Sequence, residues 1–240
     1  MTLAEGRSAR AIRVDRDEDL PAAAQELGLP RRRETIVLVG GADLMSEAEL
    51  RTVEPLFSRV IAPIVETRGR VAIDGGTDSG VMALMGAARA RIGASFPLVG
   101  VVVDHVALVP GEAKAPEAAP LEPEHTHFVL VPGSSFGDEV PWLARLGTVI
   151  SDGAGSVTVL VNGGEVTWAD AEQSVAASRP ILAVEGSGRV ADALAAGTRG
   201  EAEDERANAL ATTGLVHAAS LDEPDALAEL VDRLLVQGGS

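Results

Sequence analysis

Residues 70–88 read RVAIDGGTDSGVMALMGAA. The first five form a short apolar run ending in an acid, the pattern of a buried strand, and two glycines follow at once. Beyond them Val81, Met82, Leu84, Met85, Ala88 and Ile92 recur at helical spacing. A strand that feeds a helix through a glycine turn is half of a βαβ unit.

The unit repeats along the chain. Residues 35–39 (TIVLV) run into Gly40-Gly41. Ser46 and Glu49 then form a capping box, and Leu50, Val53, Phe57, Val60 and Ile61 mark a helix that Pro55 is expected to kink or divide. Further strands are expected at 98–103, 125–131, 157–161, 181–184 and 215–218. Glycine turns follow three of them: Pro132-Gly133-Ser134-Ser135-Phe136-Gly137, Asn162-Gly163-Gly164 and Glu185-Gly186-Ser187-Gly188-Arg189. Helices follow Gly137 and Arg189, and a last one runs from about 223 to 235. Such alternation predicts an α/β fold with a doubly wound, mostly parallel, Rossmann-like sheet in three α/β/α layers. Ligands of these sheets sit beyond the carboxyl ends of the strands, where the strand order reverses.

Composition agrees. The 240 residues are 46% apolar but only 2% aromatic, so the core is aliphatic. Residues 34–240 read as one ligand-binding domain and 1–33 as an N-terminal extension packed on it. Residues 104–124, rich in Ala, Pro and Glu, read as a long loop, either a lid or without order. Residues 197–206 read as a charged surface connection. With no cysteine there are no disulfides, thiolate zinc sites or cysteine nucleophiles. Lys114 is the sole lysine. A net charge of −16 argues against nucleic acid as a partner, because displacing counterions from a duplex needs clustered cations. The first twenty residues show no apolar signal region, and the apolar stretch 96–109 is too short to span a bilayer. The expected location is the cytoplasm, with no membrane partner.

An anionic ligand in so acidic a chain needs local positive potential, which helix N-termini and arginines supply. Gly75, Gly76, Thr77, Asp78, Ser79, Gly80 and Val81 form the leading phosphate cradle, though the spacing is neither a Walker motif nor a dinucleotide fingerprint. Gly40, Gly41, Ala42, Asp43, Gly133, Ser134, Ser135, Gly163 and Gly164 are expected around it. Glu185, Gly186, Ser187 and Gly188 lead to Arg189, whose guanidinium in a first helical turn opposes the helix dipole unless an anion, or an ion pair with Glu185 or Asp192, compensates. Asp43, Asp74 and Asp78 end or follow the first two strands and stand as ribose ligands, metal ligands or a general base. His125 and His127 on one strand face read as structural, and no metal site is expected. Gly133–Gly137 fits the G-x-S-x-G elbow, and Ser135, Asp192 and His217 fall in hydrolase order, but no HGGG-type oxyanion segment accompanies them. Trp142 and Trp168 read as packing residues.

Residues 11–42, AIDGGTDSGVMALMGAA (72–88), HTHFVLV (125–131), TVLVNGG (158–164) and ILAVEGSGRVADALA (181–195) resemble the ligand-sensor domain of melastatin-type TRP channels. That domain also occurs free-standing in prokaryotes and belongs to the Rossmann-like SLOG superfamily. The resemblance implies binding of ADP-ribose, an NAD-derived molecule or a related nucleotide at Gly75, Gly76, Thr77, Ser79, Gly80, Ser187 and Arg189. It implies no required cofactor and permits a homo-oligomer. The superfamily includes LOG phosphoribohydrolases, whose PGGxGTxxE motif is replaced here by NGGEVTWAD (162–170), without the leading Pro, the third Gly and the final Glu. Binding without catalysis is therefore the leading expectation. A nucleotide-cleaving enzyme using Asp74, Asp78 or Glu139 is the alternative.

Overall fold

The computed structural model describes residues 1–112 and 118–237. In chain order its strands are β1 (Arg10–Arg13), β2 (Thr35–Gly40), β3 (Val71–Asp74), β4 (Leu98–Val103), β5 (Ala107–Leu108), β6 (Ala119–Pro120), β7 (His127–Val131), β8 (Ser156–Val161), β9 (Ile181–Glu185) and β10 (Val216–Ser220). The helices are α1 (Leu20–Leu27), α2 (Glu47–Leu56), α3 (Ala62–Arg68), α4 (Gly80–Arg91), α5 (Val140–Ser151), α6 (Glu165–Ala176), α7 (Arg189–Thr198), α8 (Glu205–Ala211) and α9 (Pro224–Gln237). Eight strands make one sheet in the order β1-β7-β4-β3-β2-β8-β9-β10, parallel throughout, while β5 and β6 pair separately.

Alternation along β2 shows why helices cover both faces. Ile36 and Leu38 join a core with α2, α3, α4 and α9. Val37 and Val39 join the opposite core with α1, α5, α6, α7 and α8. A strand apolar on both sides is stable only between two helical layers. The chain leaves β2 for β3, β4 and β7 on one side and returns to β8 on the other, so the order reverses between β2 and β8. The fold is the expected three-layer, Rossmann-like one.

The N-terminal residues add an edge strand to this sheet. β1 pairs with β7, and Leu20, Ala23, Ala24 and Leu27 of α1 are buried in the core shared with α5. Periodicity misses β1 because its sequence, RAIR, sets only Ala11 and Ile12 between two arginines and is largely exposed. Helix α8 is likewise unpredicted; Asp204 caps it by accepting the Arg206 N–H. Pro55 does not divide the first long helix. After Leu56 the helix passes through a π turn, Phe57–Ile61, where the Ala62 N–H reaches the Phe57 carbonyl, and continues as α3. The wider turn fits the sequence, since Pro63 has no N–H to bond the Arg59 carbonyl.

Of the loop expected over 104–124, residues 113–117, Lys114 among them, lie outside the described residues. The segment after them is stitched onto the Gly75–Gly80 turn. The Asp78 N–H donates to the Pro120 carbonyl at 2.8 Å, and the Glu122 N–H donates to the Gly76 carbonyl at 3.0 Å.

Gly76 shows what the turn demands. Its φ is +68°, and a Cβ would lie 2.8 Å from the Gly100 Cα and 2.8 Å from a Val102 methyl. Gly69 has a similar φ of +60° with no atom within 4 Å of a Cβ. Gly69→Ala is expected to cost about 1–2 kcal/mol from the left-handed backbone alone, and Gly76→Ala a further 1–3 kcal/mol, roughly, from overpacking. Urea unfolding of the two variants checks this; equal losses would show that conformation alone selects glycine at 76.

Candidate functional site

The carboxyl ends of the central strands enclose a cleft of about 400 Å³ beside the point where strand order reverses. Ser79, the N-cap of α4, Gly164, the N-cap of α6, and Arg189, the first residue of α7, all line it. With Glu139, the N-cap of α5, four helix N-termini approach one space, each carrying partial positive charge. The remaining wall is largely apolar, from Leu38, Val39, Met82, Val102, Val103 and Leu143.

Nine of the predicted residues line this cleft: Gly40, Gly41, Ala42, Asp43, Gly75, Thr77, Ser79, Gly164 and Arg189. Gly76, Gly80 and Val81 stand behind them as bracing. The Val81 N–H donates to the Gly41 carbonyl at 2.9 Å, and Gly80, at φ +48°, packs on Gly41 and Ala42. Two glycine turns that both resemble ligand cradles are in part cradles for each other. Asp78 is exposed outside the lining.

The turn after β9 contributes only Arg189. Ser187 is buried, and its hydroxyl accepts the Asn162 N–H at 2.8 Å while donating to the Val184 carbonyl at 2.6 Å. That hydroxyl clamps the ends of β8 and β9 together and does not face the cleft. Gly163 lies beside it, its N–H bonded to Asn162 Oδ1, and Gly188 packs against the Asn162 amide. Glu185 pairs with Arg199 at 2.9 Å, and Asp192 accepts the Gly186 N–H at 2.7 Å, so neither compensates Arg189. Instead Arg189 donates to the Leu44 carbonyl at 2.7 Å, and its Nε lies 3.5 Å from Glu49. Its φ is +50°, a left-handed conformation for a branched-free but bulky side chain.

Gly133, Ser134 and Ser135 sit on an exposed turn closed by Asp138, which accepts the Ser134 and Ser135 N–H groups at 2.8 and 3.1 Å and is held below the usual carboxylate range by them. Gly133 borders a separate hollow of about 310 Å³ with Arg13, Asp104 and His105. The hydrolase arrangement is overturned by topology. Ser135 follows β7 and His217 lies on β10, with five strands between them, roughly 30 Å apart at 4.8 Å per strand step.

Phe136 and Gly137 of the expected glycine turn and Glu139, the candidate acid or base of the cleaving alternative, line the cleft, while Glu165, Val166, Thr167 and Asp170 were not expected there. Glu139 is raised by burial, opposed by the Gly137 N–H that it accepts at 2.8 Å. Asp170 is pushed up to about 8 by burial, with the charge of Glu139 adding. Thr167 and Asp170, three apart on α6, share a helix face just after the Asn162-Gly163-Gly164 turn. That spacing was the available signal.

A family model described as SLOG in TRPM, prokaryote, matches residues 33–229. The chain belongs to this family. No curated protein matches it by sequence. Among solved structures it is similar to the molybdenum cofactor carrier protein MCP of Chlamydomonas reinhardtii, with a TM-score of 0.54 at 20% identity, covering 85% of this chain and 99% of that one. That likeness concerns the fold. Among the described residues of this SLOG chain, no helix is long and apolar enough to cross a membrane.

Of the three aspartates expected at the cleft, only Asp43 lines it. Asp74 is fully buried and belongs to a separate network behind the turn. His125 Nε2 donates to Asp74 Oδ1 at 2.7 Å and Nδ1 donates to Glu122 Oε2 at 2.7 Å, while the Gly76 N–H also donates to Asp74 Oδ1 at 2.8 Å. Burial pulls the His125 pKa down, but the charges and hydrogen bonds of Asp74 and Glu122 outweigh it and push it up to about 9. The imidazolium therefore rivets the segment before β7 to the end of β3. Gly86 on α4 leaves the room that the Glu122 carboxylate fills. His127 diverges from it; burial and Arg10 lower it to about 4. Trp168 is buried in the core under the Arg206 guanidinium, 4.3 Å from its ring, and Trp142 packs on the same core.

The raised pKa fixes a sign. His125 binds its proton more tightly folded than unfolded, so its contribution is complete below about 6.5 and is lost as pH rises to about 9. Glu122, raised mainly by burial, acts in the same direction. Stability is expected to fall by up to about 3 kcal/mol across that window. In His125→Gln the fall should shrink to the part that Asp170 leaves as it loses its proton near pH 8, on a fold weakened by about 3–5 kcal/mol because two buried carboxylates lose their cation. Denaturant midpoints from pH 6 to 9.5 check both. A wild-type midpoint that stays level would mean that His125 is neutral.

Proposed function

We propose that this SLOG domain binds a phosphorylated nucleoside-type molecule, ADP-ribose or a related nucleotide, as a sensor or carrier. The observation that carries the reading is the convergence of four helix N-termini, one of them carrying Arg189, on one cleft where the sheet order reverses. A volume of about 400 Å³ suits a ligand of nucleotide size. The phosphate is assigned to the helix N-termini at Ser79 and Gly164 with Arg189, the one cation in a described lining that also carries Asp43, Glu139, Glu165 and Asp170. Arg189, held by the Leu44 carbonyl and Glu49 in a left-handed backbone, is poised there before any ligand arrives. The MCP neighbour, a cofactor carrier on the same fold, favours binding over turnover.

Thermal-shift measurement with AMP, NAD and ADP-ribose tests the reading, because a ligand at 100 times its Kd adds about 2.7 kcal/mol of stability. At least one should raise the melting temperature by several degrees, and no response to any would overturn the proposal. Calorimetry of Arg189→Ala should then show binding weaker by about 1.5–3 kcal/mol, the loss of a charge-assisted contact. Unchanged affinity removes Arg189 from the site. Chromatography after incubation should return the ligand intact, given the departures of residues 162–170 from the LOG cleavage motif. Release of free base would make the protein a glycohydrolase instead.

A further inference from the structure

Asp170 is the polar group of the cleft that the fold itself does not explain. Its carboxyl lines the cleft from the second turn of α6 and has no hydrogen-bond partner among the described residues. The residue is half-buried and its carboxyl opens on the cleft, so its partner is whatever fills that space. Glu139 faces the same space from the start of α5. The rim of the cleft carries exposed apolar side chains: Leu44, at 78% exposure, beside Arg189, and Phe136 at 50% and Val166 at 42% on the segments that carry the two carboxyls. Single exposed apolar residues are ordinary, whereas three around one opening mark a contact surface.

Building on the nucleotide reading, we propose that this half of the cleft takes the ligand's nitrogen heterocycle. The ring lies against Phe136 and Val166, and its edge is read by the Asp170 carboxyl with Glu139 beside it. A protonated carboxyl offers one O–H donor next to one carbonyl acceptor. That pair complements a ring nitrogen next to an exocyclic amine, as in an aminopurine. The cleft then divides by chemistry: helix N-termini and Arg189 hold the phosphate, and a neutral acid in an apolar wall holds the base. Of the charged groups that share the cleft with Asp170, namely Glu165 on its own helix, Glu139 before α5, Asp43 after β2 and Arg189 on α7, Glu139 is the one whose charge acts on it; Arg206 on α8 lies outside the lining, tied to Glu165 and Asp204.

The test is calorimetry of the full chain with AMP and with ribose 5-phosphate, which lacks the ring. Wild type should bind AMP about 10-fold tighter or more, the worth of a buried hydrogen-bonded pair. Asp170→Asn keeps a donor and an acceptor in place and should keep the preference. Asp170→Leu should lose it while melting no lower than wild type, because an unpaired carboxyl is replaced by an apolar side chain. Between pH 7 and 9 the preference should fall in wild type and stay level in Asp170→Asn. A preference for AMP unchanged in Asp170→Leu, or independent of pH in wild type, overturns the ring site and leaves the nucleotide reading standing. Equal binding of AMP and ribose 5-phosphate by wild type does the same. Binding of neither molecule overturns the nucleotide reading and the ring site together.

Discussion

Because its central strands are apolar on both faces, the sheet confines polar chemistry to the strand ends, and everything else about this molecule follows from how those ends meet. β2 carries Ile36 and Leu38 into one core and Val37 and Val39 into the other, which leaves no lateral surface for a polar site. The chain must therefore place such groups in the turns. Where it reverses direction between β2 and β8 there is no crossover to fill the gap above the sheet, and the cleft is what remains.

The turns around that gap have two tasks that compete for the same residues. Some of their backbone must bond to other turns so that the rim is rigid, and some must stay open toward the ligand. Gly80 and Val81 go to the first task, through Gly41, as do Ser187 and Asn162 between β8 and β9. Gly75 and Gly164 go to the second: a Cβ on Gly75 would touch only Met82, and one on Gly164 would meet nothing. The buried His125 imidazolium adds a third brace, joining the end of β3 to a segment some fifty residues later in the chain. Rigidity at the rim is what makes preorganised N–H groups useful to an anion, since they need not reorganise on binding.

This division explains what could be read beforehand. Strands with both faces buried announce themselves as apolar runs, and the bounds of β2, β4, β8 and β9 fall within one residue of expectation. β7 starts at His127, two residues late, because His125 is drawn down between Asp74 and Glu122 instead of continuing the strand. β1 was invisible because an edge strand needs little apolar character and RAIR has little. Glycine turns were legible as turns. Which glycine faces a ligand and which faces another turn was not, since Gly76 is decided by Gly100 and Val102, and Ser187 by Asn162. The far wall was the least legible part. Phe136, Val166 and Asp170 belong to the starts of α5 and α6, and only the packing of those helices over the sheet turns them toward the cleft.

The charge of −16 posed the sharpest difficulty for an anion site, and the arrangement of the cleft answers it without requiring a basic patch. Arg189 is the one cation that lines the cleft among the described residues, and it already lies near Glu49, whose carboxyl is held down to about 2 by the Ser46 hydroxyl and N–H and by the Asn162 amide. Positive potential in the cleft therefore comes chiefly from backbone dipoles at the helix N-termini, which carry no net charge and do not alter the acidic surface. Beside Asp170 the same acidity is reduced locally: burial raises both Glu139 and Asp170, the charge of Asp138 adding at Glu139 and that of Glu139 at Asp170. An acidic lining thereby gains positive potential from peptide groups at its helix N-termini, while burial lowers the tendency of Asp170 and Glu139 to ionise.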